Sequence, residues 1–212
     1  MENSIEDLNR WQIIRKDARS SFVETKSDRF GINKVHLEFS KYDVNQPVGQ
    51  RQTDHIHIYI DVPEFMHLAH EALTGALHIR AKQQRESGSN KPLYEHMGGT
   101  SAERLAFYGR TRADRKSLSR IVKLIMGEKV DYLFVADSGP GETDAKGLIV
   151  PKFGKSPENH VSVGLSWKSL NEMLLITRTH YEAWLAAQYV KNIDTEQSYF
   201  NRNPNSQYRN PR

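Results

Sequence analysis

One pattern occurs in both halves of this chain and limits its fold more than any other feature. In each half, segments with the apolar-polar alternation of strands come first, and a segment with the spacing of an amphipathic helix follows. In the first half, three segments alternate apolar and polar residues as half-buried strands do: residues 22–25, 32–40 and 55–61. Apolar residues then recur at helical spacing from a candidate N-cap at Asp61, with Glu64 at the position of a capping-box carboxylate. This half predicts a strand-rich unit over residues 1–90 that ends in a helix at about 62–82 and a linker.

The second half repeats this order of patterns. Its candidate strands are separated by Gly, Pro, Asp and Ser: residues 105–109, 119–126, 131–137, 147–151 and 160–165. A helix capped by Ser166 then carries an apolar stripe that includes Leu170, Leu174, Tyr181, Trp184 and Leu185. The chain is therefore predicted to be α+β, with a second strand-rich unit and its C-terminal helix over residues 91–192.

Two details of the C-terminal region allow more than one interpretation. Thr179, followed by Glu182 at capping-box spacing, would divide the last helix into two. Residues 193–212 have no hydrophobic period and are rich in Asn, Pro and Arg, which predicts a disordered tail.

The composition excludes several kinds of site. The chain contains no cysteine, which excludes disulfides, catalytic thiolates and every zinc site that uses sulfur. No apolar run approaches the roughly 20 residues of a membrane span, and the acidic, polar first residues are unlike a signal peptide. We therefore expect a cytoplasmic protein with no membrane partner.

The main functional signal is an excess of basic residues in the second half. Six basic side chains stand against Asp114 alone: Arg110, Arg112, Arg115, Lys116, Arg120 and Lys123. The neighbouring Phe107, Tyr108 and Ile121 are typical of strands, so we expect the charges to lie on an ordered surface. With a net charge of +4 and a pI near 9.2, such a surface suits a polyanion, and nucleic acid is the first choice. A solvated face with many salt bridges is the alternative.

The order of predicted elements and the amino-acid sequence of residues 160–175 resemble those of the Whirly and PUR class of single-stranded nucleic-acid-binding proteins. Residues 98–189, in particular 134–151 and 180–185, are similar to uncharacterised proteins of Gram-positive conjugative elements. The first resemblance implies a Whirly-like pair of curved antiparallel sheets, each followed by a long helix. The second implies a role in plasmid or mobile-element DNA processing.

The Whirly-like resemblance also implies a mechanism, in which aromatic rings stack on unpaired bases while cations follow the phosphates. The candidate platforms are Tyr108, which is the first choice, and Phe107, Tyr132, Phe134 and Phe153. The candidate phosphate contacts are Arg104, Arg110, Arg112, Arg115, Lys116, Arg120, Lys123, Lys152 and Lys155.

The histidines support a competing hypothesis of an enzyme. His55 and His57 lie on one face of a predicted strand, which is how rolling-circle replication proteins and relaxases of the HUH class present a divalent metal. Such an enzyme also needs a tyrosine nucleophile, for which Tyr94 and then Tyr181 are candidates. A third metal ligand would have to come from a short set of residues: Asp54, Glu64, His67 or His70.

No sequence motif indicates a cofactor. The Gly-rich residues 137–147 lack the G-K-[ST] ending of a phosphate-binding loop and lie between two predicted strands, which indicates a hairpin loop. We expect a non-enzymatic protein without a cofactor that binds single-stranded nucleic acid, DNA before RNA. A module that binds a protein partner or a second copy through the last helix is the third possibility.

Overall fold

The computed structural model describes residues 10–47 and 49–202, which form an α+β fold with two antiparallel sheets and a long C-terminal helix. The strands of the first sheet are in chain order: β1 (Gln12–Asp17), β2 (Ser21–Lys26), β3 (Lys34–Tyr42) and β4 (Gln52–Asp61). The three strands predicted in this half are present as β2, β3 and β4, whereas β1 was not predicted. A 3-10 turn at Phe30–Ile32 precedes β3.

The second sheet is built from the other half of the chain. Its strands are β5 (Tyr94–Thr100), β6 (Ser117–Met126), β7 (Tyr132–Thr143), β8 (Ile149–Pro151) and β9 (Asn159–Leu165). The sheet order is β5-β6-β7-β8, and β9 also pairs with β7. Residues 144–148 join β7 to β8 as a hairpin loop, whereas residues 137–143 of the Gly-rich stretch, predicted as part of this loop, belong to β7.

The first predicted helix is two helices, α1 (Val62–Leu73) and α2 (Ala76–Glu86). Gly75 separates them with φ of +81°, a conformation that glycine adopts without steric cost. The predicted capping box is absent, because Asp61 makes no side-chain cap and instead forms an ion pair with Lys34 at 2.7 Å. Glu64 accepts a hydrogen bond from the Tyr94 hydroxyl at 2.8 Å.

Residues 105–109, predicted as a strand, belong instead to the helix α3 (Ala102–Phe107) and the turn that follows it. The Ser101 hydroxyl accepts a hydrogen bond from the backbone amide of Arg104, with the two heavy atoms 3.3 Å apart, and so caps the first turn of this helix. The preceding residues form β5, an edge strand that the sequence pattern did not predict.

Both sheets and the last helix contribute to one hydrophobic core. Phe39 of β3 and Phe134 of β7 meet edge to face, with ring centroids 5.1 Å apart. Both are buried in the same cluster as Leu170 and Leu174 from the C-terminal helix. The predicted units at 1–90 and 91–192 therefore bury their apolar faces against each other.

Helix α4 (Trp167–Arg202) joins the second half of the chain to the first sheet. The Thr177 hydroxyl lies 2.7 Å from that of Thr25, and Tyr181 donates a hydrogen bond to Asn33. The predicted stripe is buried as far as Tyr181, while Trp184 and Leu185 are partly buried against the core.

The helix α4 does not break at Thr179, whose hydroxyl donates to the Leu175 carbonyl one turn earlier. It also continues past its predicted end near residue 192. The rest of the predicted tail, residues 203–212, lies outside the described residues. Among the described residues, no helix is both long and apolar enough to cross a bilayer.

Candidate nucleic-acid interface

Two aromatic rings stand in solvent where α3 ends. Phe107 is 82% exposed and Tyr108 is 56% exposed, and their ring centroids are 5.1 Å apart at an angle of 81°. The Arg104 guanidinium lies 5.9 Å from the Tyr108 ring, within reach of a cation–π interaction. This exposed aromatic pair is therefore a candidate binding surface.

A basic loop continues directly from this aromatic pair, and we call residues 104–116 the aromatic-basic segment. Several of its cations are exposed and form no ion pair with a carboxylate in the described ranges: Arg104, Arg110, Arg115 and Lys116. Arg115 has φ of +55°, so the turn before β6 holds a non-glycine residue in the left-handed region. The loop therefore presents positive charge that is not neutralised locally.

Arg112 differs from the other cations of this segment. Its guanidinium donates two hydrogen bonds to Glu158, at 2.9 and 2.7 Å, and two to Asp114, at 3.1 and 3.0 Å. These bonds to Glu158 and Asp114 raise the pKa of Arg112 above its usual value. Arg112 thus fixes the loop against the segment before β9, and its charge is balanced by two carboxylates.

The remaining predicted phosphate contacts lie outside the aromatic-basic segment. Lys123 pairs with Glu95 at 3.3 Å, and Lys152 lies 3.6 Å from Glu142. Lys155 is exposed, without an ion pair among the described residues. A carboxylate thus offsets the charge of Lys123 and of Lys152, and all three lysines stay candidate contacts outside the aromatic-basic segment.

Arg120 lies on β6 and donates a hydrogen bond at 3.0 Å to the hydroxyl of Thr100, on the neighbouring strand β5 of the same sheet. Burial lowers its pKa below the usual value, and the neighbouring Arg110 adds to this effect while Tyr59 opposes it. Arg120 is therefore a half-buried cation that is hydrogen-bonded within its own sheet.

The structure removes two of the five predicted aromatic platforms. Tyr132 and Phe134 are each 1% exposed and belong to the core, so the interpretation of these rings as stacking surfaces is wrong. The alternation on β7 placed them on one face, and that face is the one that packs inward. Phe153 is half-buried over Gly139, which leaves Phe107 and Tyr108 as the exposed rings of the predicted set.

The predicted histidine pair lies on the first sheet, on the face opposite the core. His55 and His57 stack with ring centroids 6.3 Å apart, as their spacing on β4 predicted. Three of the four proposed third ligands are engaged elsewhere: Asp54 faces Lys41, Glu64 bonds Tyr94 and His96, and His67 faces Glu71. The fourth, His70, is exposed on α1. The neighbours of the pair are instead His36 and Glu38, on the adjacent strand β3.

Neither candidate nucleophile has a free hydroxyl. Tyr94 donates to Glu64 and Tyr181 donates to Asn33. Burial, with the bond to Glu64 second, raises the pKa of Tyr94 well above its usual value. A phenol that resists ionisation is a poor nucleophile, so these tyrosines give the HUH alternative no support.

Burial also controls the charge state of the histidines beside Glu38. It lowers the pKa of His57 to about 4 and lowers that of His36, although Glu38 and Asp28 respectively oppose the shift. Both imidazoles are therefore neutral at pH 7. Burial alone would raise the pKa of Glu38, but the Lys26 ammonium outweighs it and keeps this carboxylate ionised.

Comparisons of this chain with protein-family models, with curated proteins and with solved structures find no match.

Proposed function

We propose that the protein binds single-stranded nucleic acid through the aromatic-basic segment. The observation that carries this proposal is the exposed pair of Phe107 and Tyr108 beside cations that have no carboxylate partner among the described residues. Aromatic faces stack on bases only when those bases are unpaired, which favours a single strand over a duplex. The cations supply the phosphate contacts, which need no particular base sequence.

The same arrangement favours a non-enzymatic function. Glu103 directly precedes the aromatic-basic segment and Asp114 lies within it, where Arg112 holds its carboxylate. The segment thus offers rings and cations for binding but no unengaged acid and base pair. The resemblance of residues 98–189 to proteins of conjugative elements favours DNA as the ligand, in plasmid or mobile-element processing.

A binding titration tests the stacking part of this proposal. We expect Phe107→Ala with Tyr108→Ala to weaken binding to a 20-nucleotide oligo(dT) by at least about 10-fold, because stacking contributes roughly 1 to 3 kcal/mol per base. Fluorescence anisotropy of a labelled strand measures this, with a hairpin duplex as the competing ligand. The control is Trp167→Ala, since this aromatic residue is also exposed but lies at the first turn of α4. Equal affinity of the double variant and the control would contradict the proposal, as would a preference for duplex.

A salt series tests the electrostatic part. Arg110→Glu with Arg115→Glu should flatten the dependence of log Kd on log salt, by about 0.7 for each phosphate of a single strand that the variant no longer neutralises. Arg112 is unsuitable for this test, because its reversal would place a third carboxylate beside Asp114 and Glu158. Lys168→Glu, on the surface of α4, is the matched control. An unchanged slope in the double variant would show that the aromatic-basic segment does not bind phosphates.

A second candidate function is self-association through the end of α4. Beyond Trp184 this helix exposes Tyr189, Val190 and Ile193, each by more than half. We expect sedimentation velocity to show a dimer that Val190→Glu with Ile193→Glu converts to a monomer. A monomer in the unmodified protein would remove this candidate.

A further inference from the structure

The face of the first sheet that points away from the core carries a compact group of imidazole and carboxylate side chains. Strands β3 and β4 are antiparallel, with Glu38 directly opposite His57, and His36 opposite Tyr59. The His57 Nδ1 atom lies 2.9 Å from His36 Nε2 and 3.8 Å from Glu38 Oε2. One ligand atom from each of these three residues lies within 4.8 Å of the others, which is the spacing that a single ion requires.

We propose that His36, Glu38 and His57 form a divalent metal site that binds Zn²⁺. Two imidazoles and one carboxylate are a ligand set that zinc accepts, with water in the fourth position. The aromatic-basic segment contributes none of these ligands, so this inference stands independently of the proposed function.

The Asp28 carboxylate, which contacts the other ring nitrogen of His36, supports this assignment. Asp28 Oδ1 lies 2.8 Å from His36 Nδ1 and accepts a hydrogen bond from it in the tautomer protonated at Nδ1, which leaves the lone pair of Nε2 directed toward Glu38 and His57. A histidine that ligates a metal commonly donates its other ring proton to a carboxylate in this manner. Asp28 is thus a positioning residue for the site.

A second group of contacts orients the carboxylate ligand. His55 Nδ1 lies 3.2 Å from Glu38 Oε1 and 2.9 Å from the Ser40 hydroxyl. The structure thus places His55, expected from the His-x-His pattern to share a metal with His57, beside the other oxygen of Glu38. The oxygen Oε2 faces His57 and also accepts a hydrogen bond from Lys26.

Lys26 is the cation that a metal ion would displace. Its ammonium bridges Glu38 and Glu24, and it lies 2.8 Å from the latter carboxylate. When an ion takes the Glu38 oxygen, Lys26 keeps Glu24 as its partner. The exchange leaves no carboxylate or ammonium of this group without an opposite charge.

Isothermal titration of the full-length, chelator-treated protein with ZnCl₂ tests the proposal. We expect one ion per chain, and Co²⁺ as a replacement should give the visible absorption of a four-coordinate site. His57→Asn should abolish stoichiometric binding, and Asp28→Asn should weaken it by about 10- to 100-fold. Circular dichroism of each variant before titration establishes that the fold is retained, and His57→Asn is the informative variant because its side chain is 41% exposed.

His160→Asn is the matched control, because His160 is also a strand histidine paired with a carboxylate, Asp137 at 2.7 Å. It should bind zinc as the unmodified protein does. The proposal is wrong if the unmodified protein binds no zinc, or if folded His57→Asn binds it equally well. It is also wrong if binding is lost only with His67→Asn and His70→Asn on α1, which would place the ion on that helix.

Discussion

Replacing Phe134 with alanine is expected to lower the free energy of unfolding of the whole chain by about 3 to 5 kcal/mol, the usual cost of removing a buried phenylalanine. Phe134 is 1% exposed, and its ring packs on Phe39 of the other sheet. Truncation would leave a cavity between the two sheets that neither sheet can close without moving. Urea denaturation followed by circular dichroism measures the change.

This variant also decides whether residues 1–90 and 91–192 unfold separately. Because the two sheets share one core, we expect a single transition, shifted as a whole. Phe39→Ala should lower the free energy of unfolding by a similar amount. The sum of the two single losses should exceed the loss in the double variant, because the two rings are in contact. Phe107→Ala is the control, and at 82% exposure it should change stability by less than about 0.5 kcal/mol. Two transitions, with only one of them shifted by Phe134→Ala, would mean that the halves are independent domains.

The strands that alternation predicted are those with one face in the core. On β4, Ile56, Ile58 and Ile60 are buried while the residues between them face outward, so the period of two is visible in the sequence. The same pattern identified β3, β6 and β9. Hydrophobic period therefore predicted the fold class, because burial of one sheet face is what creates the period.

The elements that the sequence did not predict depend on contacts distant in the chain. Strand β5 contains Gly98 and Gly99 just before its last residue, Thr100, and consecutive glycines are typical of a loop. A Cβ at Gly99 would lie 2.5 Å from the Leu118 carbonyl oxygen and 2.7 Å from Ile149 Cγ2, so glycine is needed there by packing. No local pattern reports such a contact, since it depends on the placement of β8.

For a similar reason, the sequence predicts some residues of the candidate sites but not the contacts that connect them. The excess of basic residues was visible by counting, but the partner of Arg112 is Glu158, 46 residues later. His36 and Glu38 alternate with apolar residues in 32–40, but nothing in the sequence pairs them with His57. That connection requires the register of β3 against β4.

Lys26→Met is expected to destabilise the protein by about 3 kcal/mol at pH 7, because it leaves two carboxylates without their cation. The side chains of Lys26, Glu24 and Glu38 are only 19%, 9% and 10% exposed, so water replaces little of the lost interaction. Lys34→Met is the control, since Lys34 pairs with the more exposed Asp61 and should cost less than about 1 kcal/mol. Thermal and urea denaturation compare the two variants.

The pH dependence of this loss identifies its cause. In the unmodified protein the pKa of Glu38 lies below its usual value, so its stabilising contribution is present above the unfolded pKa and is lost as pH falls through the folded pKa. In Lys26→Met no ammonium outweighs the burial that opposes ionisation of Glu38. The pKa of this carboxyl group is therefore higher in the folded variant than in the unfolded chain. The deficit of the variant should therefore be largest at neutral pH and shrink as pH falls, first through the raised pKa of Glu38 in the variant, above about 4.5, and then through its lowered pKa in the unmodified protein. A deficit that is constant from pH 7 to pH 4 would mean that Lys26 acts through its packing and not through its charge.

Zinc should reverse part of the same loss, because the Glu38 oxygen released by Lys26 is the one that faces His57. At about 100 times its dissociation constant, an ion that binds only the folded state adds about 2.7 kcal/mol. The gain should be larger in Lys26→Met than in the unmodified protein, where the ammonium competes with the ion for the same carboxylate. It should be absent when His57→Asn is added to Lys26→Met. An equal gain with and without His57 would show that zinc stabilises the chain from another position, and that the lysine and the ion do not exchange at Glu38.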